Sequence, residues 1–204
     1  REAANKYYET VPGVVQHYMD EIGKITGRSY HLFDYVGAPD ADRVIIIMGS
    51  GAEVAEETIE YLNAKGAKLG LLKVRLYRPF AVDKFLSLLP KTCKKIAVLD
   101  RTKEAGSQGE PLYQDVVNAL AEAGMCDIKV YGGRYGLGSK DFTPSMVKAV
   151  YDELANANPR PRFTVGITDD VTNLSVTVKE QINAAPEGTI ACKFYGLGSD
   201  GTVG

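Results

Sequence analysis

The stretch that most constrains the fold is RVIIIMGSG at residues 43–51. A run of consecutive β-branched residues at 44–47, followed by Met48, is too short for a free-standing helix. Because all of these side chains are apolar, both faces must be buried, as in a central strand of a parallel sheet. Gly49 and Gly51 then turn the chain, and an amphipathic segment begins at once. The pattern predicts a strand–turn–helix unit, and the turn is the first place to look for a ligand site.

The rest of the chain repeats this strand–helix step. Further segments typical of strands lie at residues 68–77, 95–100, 127–131 and 162–167, with helical stripes of apolar residues between them. Serial β–α steps predict a doubly wound α/β fold, a three-layer α/β/α structure with a mainly parallel sheet of about five strands. The strand order stays open at this point.

Three segments are expected along the chain. Residues 1–42 are interpreted as an N-terminal helix and linker from a preceding domain, with Thr10 before Pro12 as the helix cap. Residues 43–188 form the α/β domain, with a further short element over 174–182. Residues 189–204 are interpreted as the truncated first strand and glycine-rich loop of a next domain. The chain starts without methionine and ends inside that loop, which indicates an excised piece of a longer polypeptide.

Composition excludes several classes of protein. A net charge of -2 argues against a nucleic-acid partner, and no apolar run approaches the ~20 residues of a membrane span. The dispersed cysteines Cys93, Cys126 and Cys192 make no CxxC pair, so we expect reduced thiols in a cytoplasmic protein and no metal site. With His17 and His31 as the only histidines and no triad pattern, a hydrolase is not expected.

Two glycine turns are the candidate sites for a phosphate. The turn at residues 49–54 is an incomplete dinucleotide fingerprint, because Val54 stands at the third glycine position. Its glycines are therefore expected to serve packing. The loop at 196–201 completes the G-x-G-x-x-G spacing after a predicted strand, and its amides are suited to hold a phosphate. The candidate cofactor-binding residues, for coenzyme A or another phosphate, are Gly196, Gly198, Ser199 and Gly201.

Two other features have simpler interpretations. YGLGS occurs at residues 135–139 and again at 195–199, but the flanking residues do not align, so we interpret the repeat as two separate glycine-rich loops. The loop at 101–110 is dense in charge and follows the acid-ended strand at Asp100. Paired carboxylates there are compatible with acid–base chemistry, whereas solvated surface or an inter-domain contact is the more ordinary role. No catalytic residue is assigned.

Several motifs carry a family resemblance. MGSG at 48–51, KVRLYRP at 73–79 and the strand ending at Asp100 resemble the C-terminal domain of transketolase-type thiamine enzymes. Three longer stretches resemble pyruvate:ferredoxin (flavodoxin) oxidoreductases, and together with the shorter motifs they extend the resemblance over nearly the whole chain. They are LDRTKEAGSQGEPLY at 99–113, GRYGLGSKDFTP at 133–144 and FYGLGSDGTVG at 194–204.

The resemblance implies a function for the parent polypeptide. The parent would oxidatively decarboxylate pyruvate to acetyl-CoA in anaerobic metabolism, using thiamine diphosphate with Mg²⁺ and [4Fe–4S] clusters. It would be a cytoplasmic homodimer that reduces ferredoxin or flavodoxin. This chain would be its second domain, transketolase C-terminal-like, with the first residues of a third domain associated with coenzyme A. We therefore expect a non-catalytic interface domain that carries no cofactor and contacts other domains of the same polypeptide.

Two alternatives stay open. One is a self-standing nucleotide- or coenzyme-A-binding module that uses the glycine turns. The other is the C-terminal domain of a 2-oxoacid dehydrogenase β subunit, against which the long matches at residues 99–113 and 133–144 argue. Binding of a dinucleotide to the isolated chain favours the first of these alternatives.

Overall fold

A computed structural model describes residues 1–168, 171–193 and 195 of the chain. The described strands are β1 (Phe33–Gly37), β2 (Arg43–Met48), β3 (Leu69–Val74), β4 (Lys95–Asp100), β5 (Lys129–Arg134) and β6 (Arg162–Thr164). The described α-helices are α1 (Asn5–Thr26), α2 (Gly51–Ala64), α3 (Val82–Ser87), α4 (Pro111–Glu122) and α5 (Pro144–Ala155). No described helix is both long enough and apolar enough to cross a membrane.

The strands form one sheet in the order β1-β3-β2-β4-β5-β6. All neighbours pair in parallel except β1, which runs antiparallel to β3 at the edge. The predicted doubly wound, mainly parallel α/β class is thus confirmed. Because β3 lies on one side of β2 and β4 on the other, the connection reverses direction between β2 and β4. In such sheets that reversal point is where ligands usually bind.

The sheet lies between two helical layers, and β2 is buried on both faces. Ile45 and Ile47 belong to the core that α2 and α5 cover, whereas Val44 and Ile46 belong to the core that α3 and α4 cover. All four side chains are fully buried. The apolar run that dominates the sequence is therefore the centre of the fold.

The N-terminal part differs from the prediction in two ways. The sheet has six strands because Phe33–Gly37, inside the predicted linker at 1–42, pairs with β3 and buries Phe33. Helix α1 begins before the predicted cap: Pro12 lies inside the helix, and the Thr10 hydroxyl donates to the Tyr7 carbonyl. The domain boundaries themselves stay a prediction.

The C-terminal part also departs from the expected elements. In place of an element over 174–182, the structure has a single bridge between Thr164 and Ser175. Residues 189–193, expected in a strand, are not in one, and they have no neighbouring strand among the described residues to supply ladder hydrogen bonds. Residues 196–204 lie outside the described residues.

Candidate functional site

The residues that the sequence singled out for phosphate contact are Gly196, Gly198, Ser199 and Gly201. All four lie outside the described residues, so that site stays a prediction. Among the described residues, the edge of the sheet where ligands usually bind is the carboxyl edge, where β2, β4 and β5 end.

The turn after β2 has glycines for two different reasons. Gly49 has a φ of +75°, a left-handed conformation that glycine adopts at little cost. Gly51 begins α2 and has no room for a side chain. A Cβ atom there would lie 2.7 Å from the Tyr135 hydroxyl oxygen and 2.9 Å from Cδ1 of Ile47. The glycines of this turn thus serve the local backbone and packing, in keeping with the incomplete fingerprint.

Tyr135 closes the crevice at the reversal point. Its backbone N–H donates to the Asp100 carbonyl at the end of β4 over 3.3 Å. Its hydroxyl donates to the Met48 carbonyl at the end of β2 over 3.4 Å. The Tyr135 side chain is 3% exposed, and its ring centroid lies 4.4 Å from that of Phe142. Burial raises the pKa of its hydroxyl, which stays neutral. The protein's own aromatic ring occupies the place where a doubly wound sheet usually admits a ligand.

Asp100 has a structural task at the end of β4. Its two carboxylate oxygens accept the backbone N–H groups of Leu112 and Tyr113, each over 3.1 Å. These groups belong to the first turn of α4, where no helical partner is available. Burial raises the pKa of Asp100 to about 6, while those two hydrogen bonds lower it. The carboxyl group therefore joins β4 to α4.

Glu110 and Arg134 form a second polar contact nearby. The carboxylate of Glu110 lies 3.5 Å from the guanidinium of Arg134, and the two side chains are 4% and 15% exposed. The charged loop between Asp100 and Glu110 is also held near its C-terminal end, because the Arg162 guanidinium donates to the Gln108 carbonyl over 2.6 Å. Asp100 and Glu110 lie at the two ends of this loop, and the carboxyl groups of both take part in interactions that stabilise the fold.

Two small clefts lie beside this edge. A cleft of about 370 Å³ next to the start of α2 is lined by Lys73 and Arg75, whose cationic groups pair with Glu56 and Asp34, both over 2.5 Å. Another of about 270 Å³ is lined by Lys103, Arg134 and Lys140, among others. Ser50 and Glu53 also line the first cleft.

The described residues do not fit an iron–sulfur cluster or a metal cation. No group of three or more His, Cys, Asp or Glu side chains in residues 1–168, 171–193 and 195 is arranged to hold an ion. Cys93 is buried, and burial raises the pKa of its thiol to about 12. Cys126 and Cys192 are exposed, and all three thiols are free.

The sequence did not single out Tyr135 except as part of the YGLGS repeat. The two tyrosines of that repeat have different environments: Tyr135 is 3% exposed and Tyr195 84%. Nothing local marks Tyr135 as the residue that fills the crevice, because its partner Met48 is 87 positions away.

The fold and this edge define a doubly wound α/β domain whose ligand crevice is filled by its own side chains. Residues 41–147 match the family model described as pyruvate:ferredoxin oxidoreductase core domain II. The chain belongs to this family.

Similar proteins are much longer than this chain. It is 63% identical over its full length to the pyruvate:ferredoxin oxidoreductase of Moorella thermoacetica, of which it covers 17%. It is 56% identical to the pyruvate-flavodoxin oxidoreductase of Rhodospirillum rubrum, of which it covers 18%. A solved 2-oxoglutarate:ferredoxin oxidoreductase from Magnetococcus marinus is 26% identical with a TM-score of 0.44. That match covers 60% of this chain and 20% of the other.

Proposed function

We propose that this chain is a non-catalytic structural domain of a larger enzyme that oxidatively decarboxylates pyruvate to acetyl-CoA and reduces ferredoxin or flavodoxin. The names of the two relatives and the match to core domain II support the activity of the parent. The chain spans less than a fifth of those relatives, which supports its role as one domain among several.

The observation that carries the structural role is the filled crevice. Tyr135 occupies the reversal point, and Asp100 and Glu110, the buried carboxyl groups at this edge, are engaged with α4 and Arg134. A general acid or base must reach the proton that it transfers, and these groups are buried. The domain thus gives neighbouring domains a rigid support and leaves the chemistry to them.

The cofactors of the parent belong to its other domains in this proposal. We assign thiamine diphosphate with Mg²⁺ to those domains on the basis of the family. The [4Fe–4S] clusters are assigned there too, because a cluster needs several cysteine thiolates together and no such group lies in residues 1–168, 171–193 and 195. Coenzyme A is the exception, since the loop with Gly196, Gly198, Ser199 and Gly201 is proposed to contact it once the following domain is present. We place the parent in the cytoplasm on the basis of the free thiols of this chain. We infer that the parent is a homodimer from its family.

Two measurements on the isolated chain test this proposal. When the pure chain is incubated with pyruvate and thiamine diphosphate, carbon dioxide should be released no faster than in buffer without the chain. Decarboxylation of pyruvate by the chain would overturn the non-catalytic role. Isothermal titration with NAD, NADP and coenzyme A should show no micromolar dinucleotide binding. Such binding favours a self-standing nucleotide module, the alternative that the filled crevice opposes.

A further inference from the structure

The outer face of α1 carries a line of exposed apolar side chains. Tyr7, Val14, Tyr18 and Ile25 are separated by 7, 4 and 7 positions, so they follow one stripe along the helix. They are 64%, 50%, 62% and 85% exposed. We call these four residues the outer stripe. Large apolar side chains aligned in this way on a water-facing helix are a feature that the fold itself leaves unexplained.

The inner face of α1 uses few residues to hold the helix on the domain. None of its residues is buried, and Val15 and Met19 are only partly covered by the core beneath α3 and α4. The Gln16 side chain bonds Tyr30 and Leu32, while a groove of about 930 Å³ borders the helix. Few contacts thus hold α1 on this domain, and the face of the helix that points away from the domain is apolar.

The exposed area is large enough for a stable interface. Ile22, which flanks the outer stripe, is 50% exposed. Together these five side chains expose on the order of 600 Å² of mainly apolar surface. That is at the upper end of the largest apolar patch on a typical monomer and approaches the ~800 Å² that one partner contributes to a standard interface.

The spacing of the stripe identifies the shape of the partner. Separations of 7, 4 and 7 follow the 3.5-residue repeat by which one helix packs along another. Val11, between Tyr7 and Val14, and Glu21, between Tyr18 and Ile25, complete the same repeat, and Glu21 is its polar member. Glu21 is paired with Lys24 on the same helix over 2.6 Å, so it places no unpaired charge in the seam. The stripe fits an apolar helix that runs beside α1 for roughly 27 Å.

We propose that the outer stripe packs against an apolar helix in another domain of the same parent polypeptide. This proposal rests on the proposed function, in which the chain is one domain of a longer enzyme. The relatives carry four-fifths or more of their length outside the matched region. A helix on the same polypeptide is present at a high effective concentration, so it meets the stripe without the cost of bringing two molecules together.

The test compares two lysine substitutions on α1 in the full-length parent enzyme. Tyr18→Lys places a charge inside the stripe. Thr10→Lys places the same side chain at an exposed position to one side of it and is the matched control. Hydrogen exchange measured by mass spectrometry on peptides from residues 5–26 reports whether α1 is covered. We expect Tyr18→Lys to speed exchange at least tenfold and Thr10→Lys to change it less than twofold.

Two results overturn the proposal. If the two variants exchange equally fast, the stripe is open to solvent in the full enzyme. If sedimentation shows that Tyr18→Lys halves the mass of the enzyme while Thr10→Lys does not, the stripe is covered by a second copy. Pyruvate oxidation by the wild-type parent is measured separately, and its absence refutes the proposed function whatever the exchange of α1.

Discussion

Replacing Gly51 with alanine should place a methyl group where the closing side chain of the crevice already lies. An ideal Cβ at Gly51 falls 2.7 Å from the Tyr135 hydroxyl and 2.9 Å from Cδ1 of Ile47. Both neighbours are buried in the same core and have little room to move. Overpacking of this kind costs about 1–3 kcal/mol, so we expect Gly51→Ala to lower the free energy of unfolding by roughly 2 kcal/mol.

Gly13→Ala is the matched control, because Gly13 also lies in a helix but has open space around it. Apart from its chain neighbours and the backbone of its own helix, no heavy atom lies within 4 Å of a Cβ built at Gly13. Alanine is favoured over glycine inside a helix by up to about 1 kcal/mol, so this variant should be as stable as the wild type or more stable. The comparison separates the packing at Gly51 from the general effect of adding a methyl group to a helix.

Urea and thermal unfolding of the chain measure both effects. A loss of about 2 kcal/mol corresponds to a fall in Tm of roughly 4–8 °C for a chain of this size. Adding Tyr135→Phe to Gly51→Ala removes the nearest atom and should recover at least about 0.5 kcal/mol as coupling energy. A Gly51→Ala variant as stable as the wild type, or zero coupling with Tyr135→Phe, refutes the close packing of Tyr135 on this turn.

Three further variants test the polar contacts of the core. Burial raises the pKa of Asp100 to about 6 in the folded chain, above its usual 3.8. Protonation of Asp100 therefore favours folding, so its contribution to stability is fully present below pH 4 and is lost as the pH rises through 6. In urea titrations we expect the free energy of unfolding to fall by about 1 kcal/mol between pH 5 and 7 for this reason, and we expect this fall to be absent in Asp100→Asn. Arg134→Met leaves the buried Glu110 carboxylate unpaired, so urea unfolding at pH 7 should show a loss of about 3 kcal/mol. Tyr151→Phe removes the buried hydrogen bond to the Gly70 carbonyl, and its Tm should reflect a loss of about 1–2 kcal/mol; no loss contradicts that bond.

The central sheet was predictable because its signal is local. Residues 44–47 are apolar at every position, and only a strand buried on both faces uses such a run. The edge strand β1 was harder, since Asp34 and Gly37 interrupt its pattern and its partner β3 lies more than 30 residues away. Pro12 also led to a wrong prediction of where the first helix begins, because proline is common in the first turn of a helix. Here the helix continues on both sides of it and loses only one backbone donor.

The filled crevice could not be read from the sequence at all. The glycines of the turn were correctly expected to serve packing, but the residue that requires Gly51 to lack a side chain is Tyr135, on the far side of β4. The uses of Asp100 and Glu110 likewise depend on α4 and Arg134, which the fold brings beside them. Contacts between distant segments are set by the strand order, and the sequence left that order open.

Pyruvate-dependent reduction of ferredoxin by the full-length enzyme is the measurement that tests the non-catalytic role most directly. The assay compares the wild type with Glu110→Gln and Tyr135→Phe, each checked for a native circular dichroism spectrum. If this domain only supports its neighbours, both variants keep kcat within about threefold of the wild type. A folded variant whose kcat falls a hundredfold, about 2.7 kcal/mol in transition-state free energy, contradicts the account.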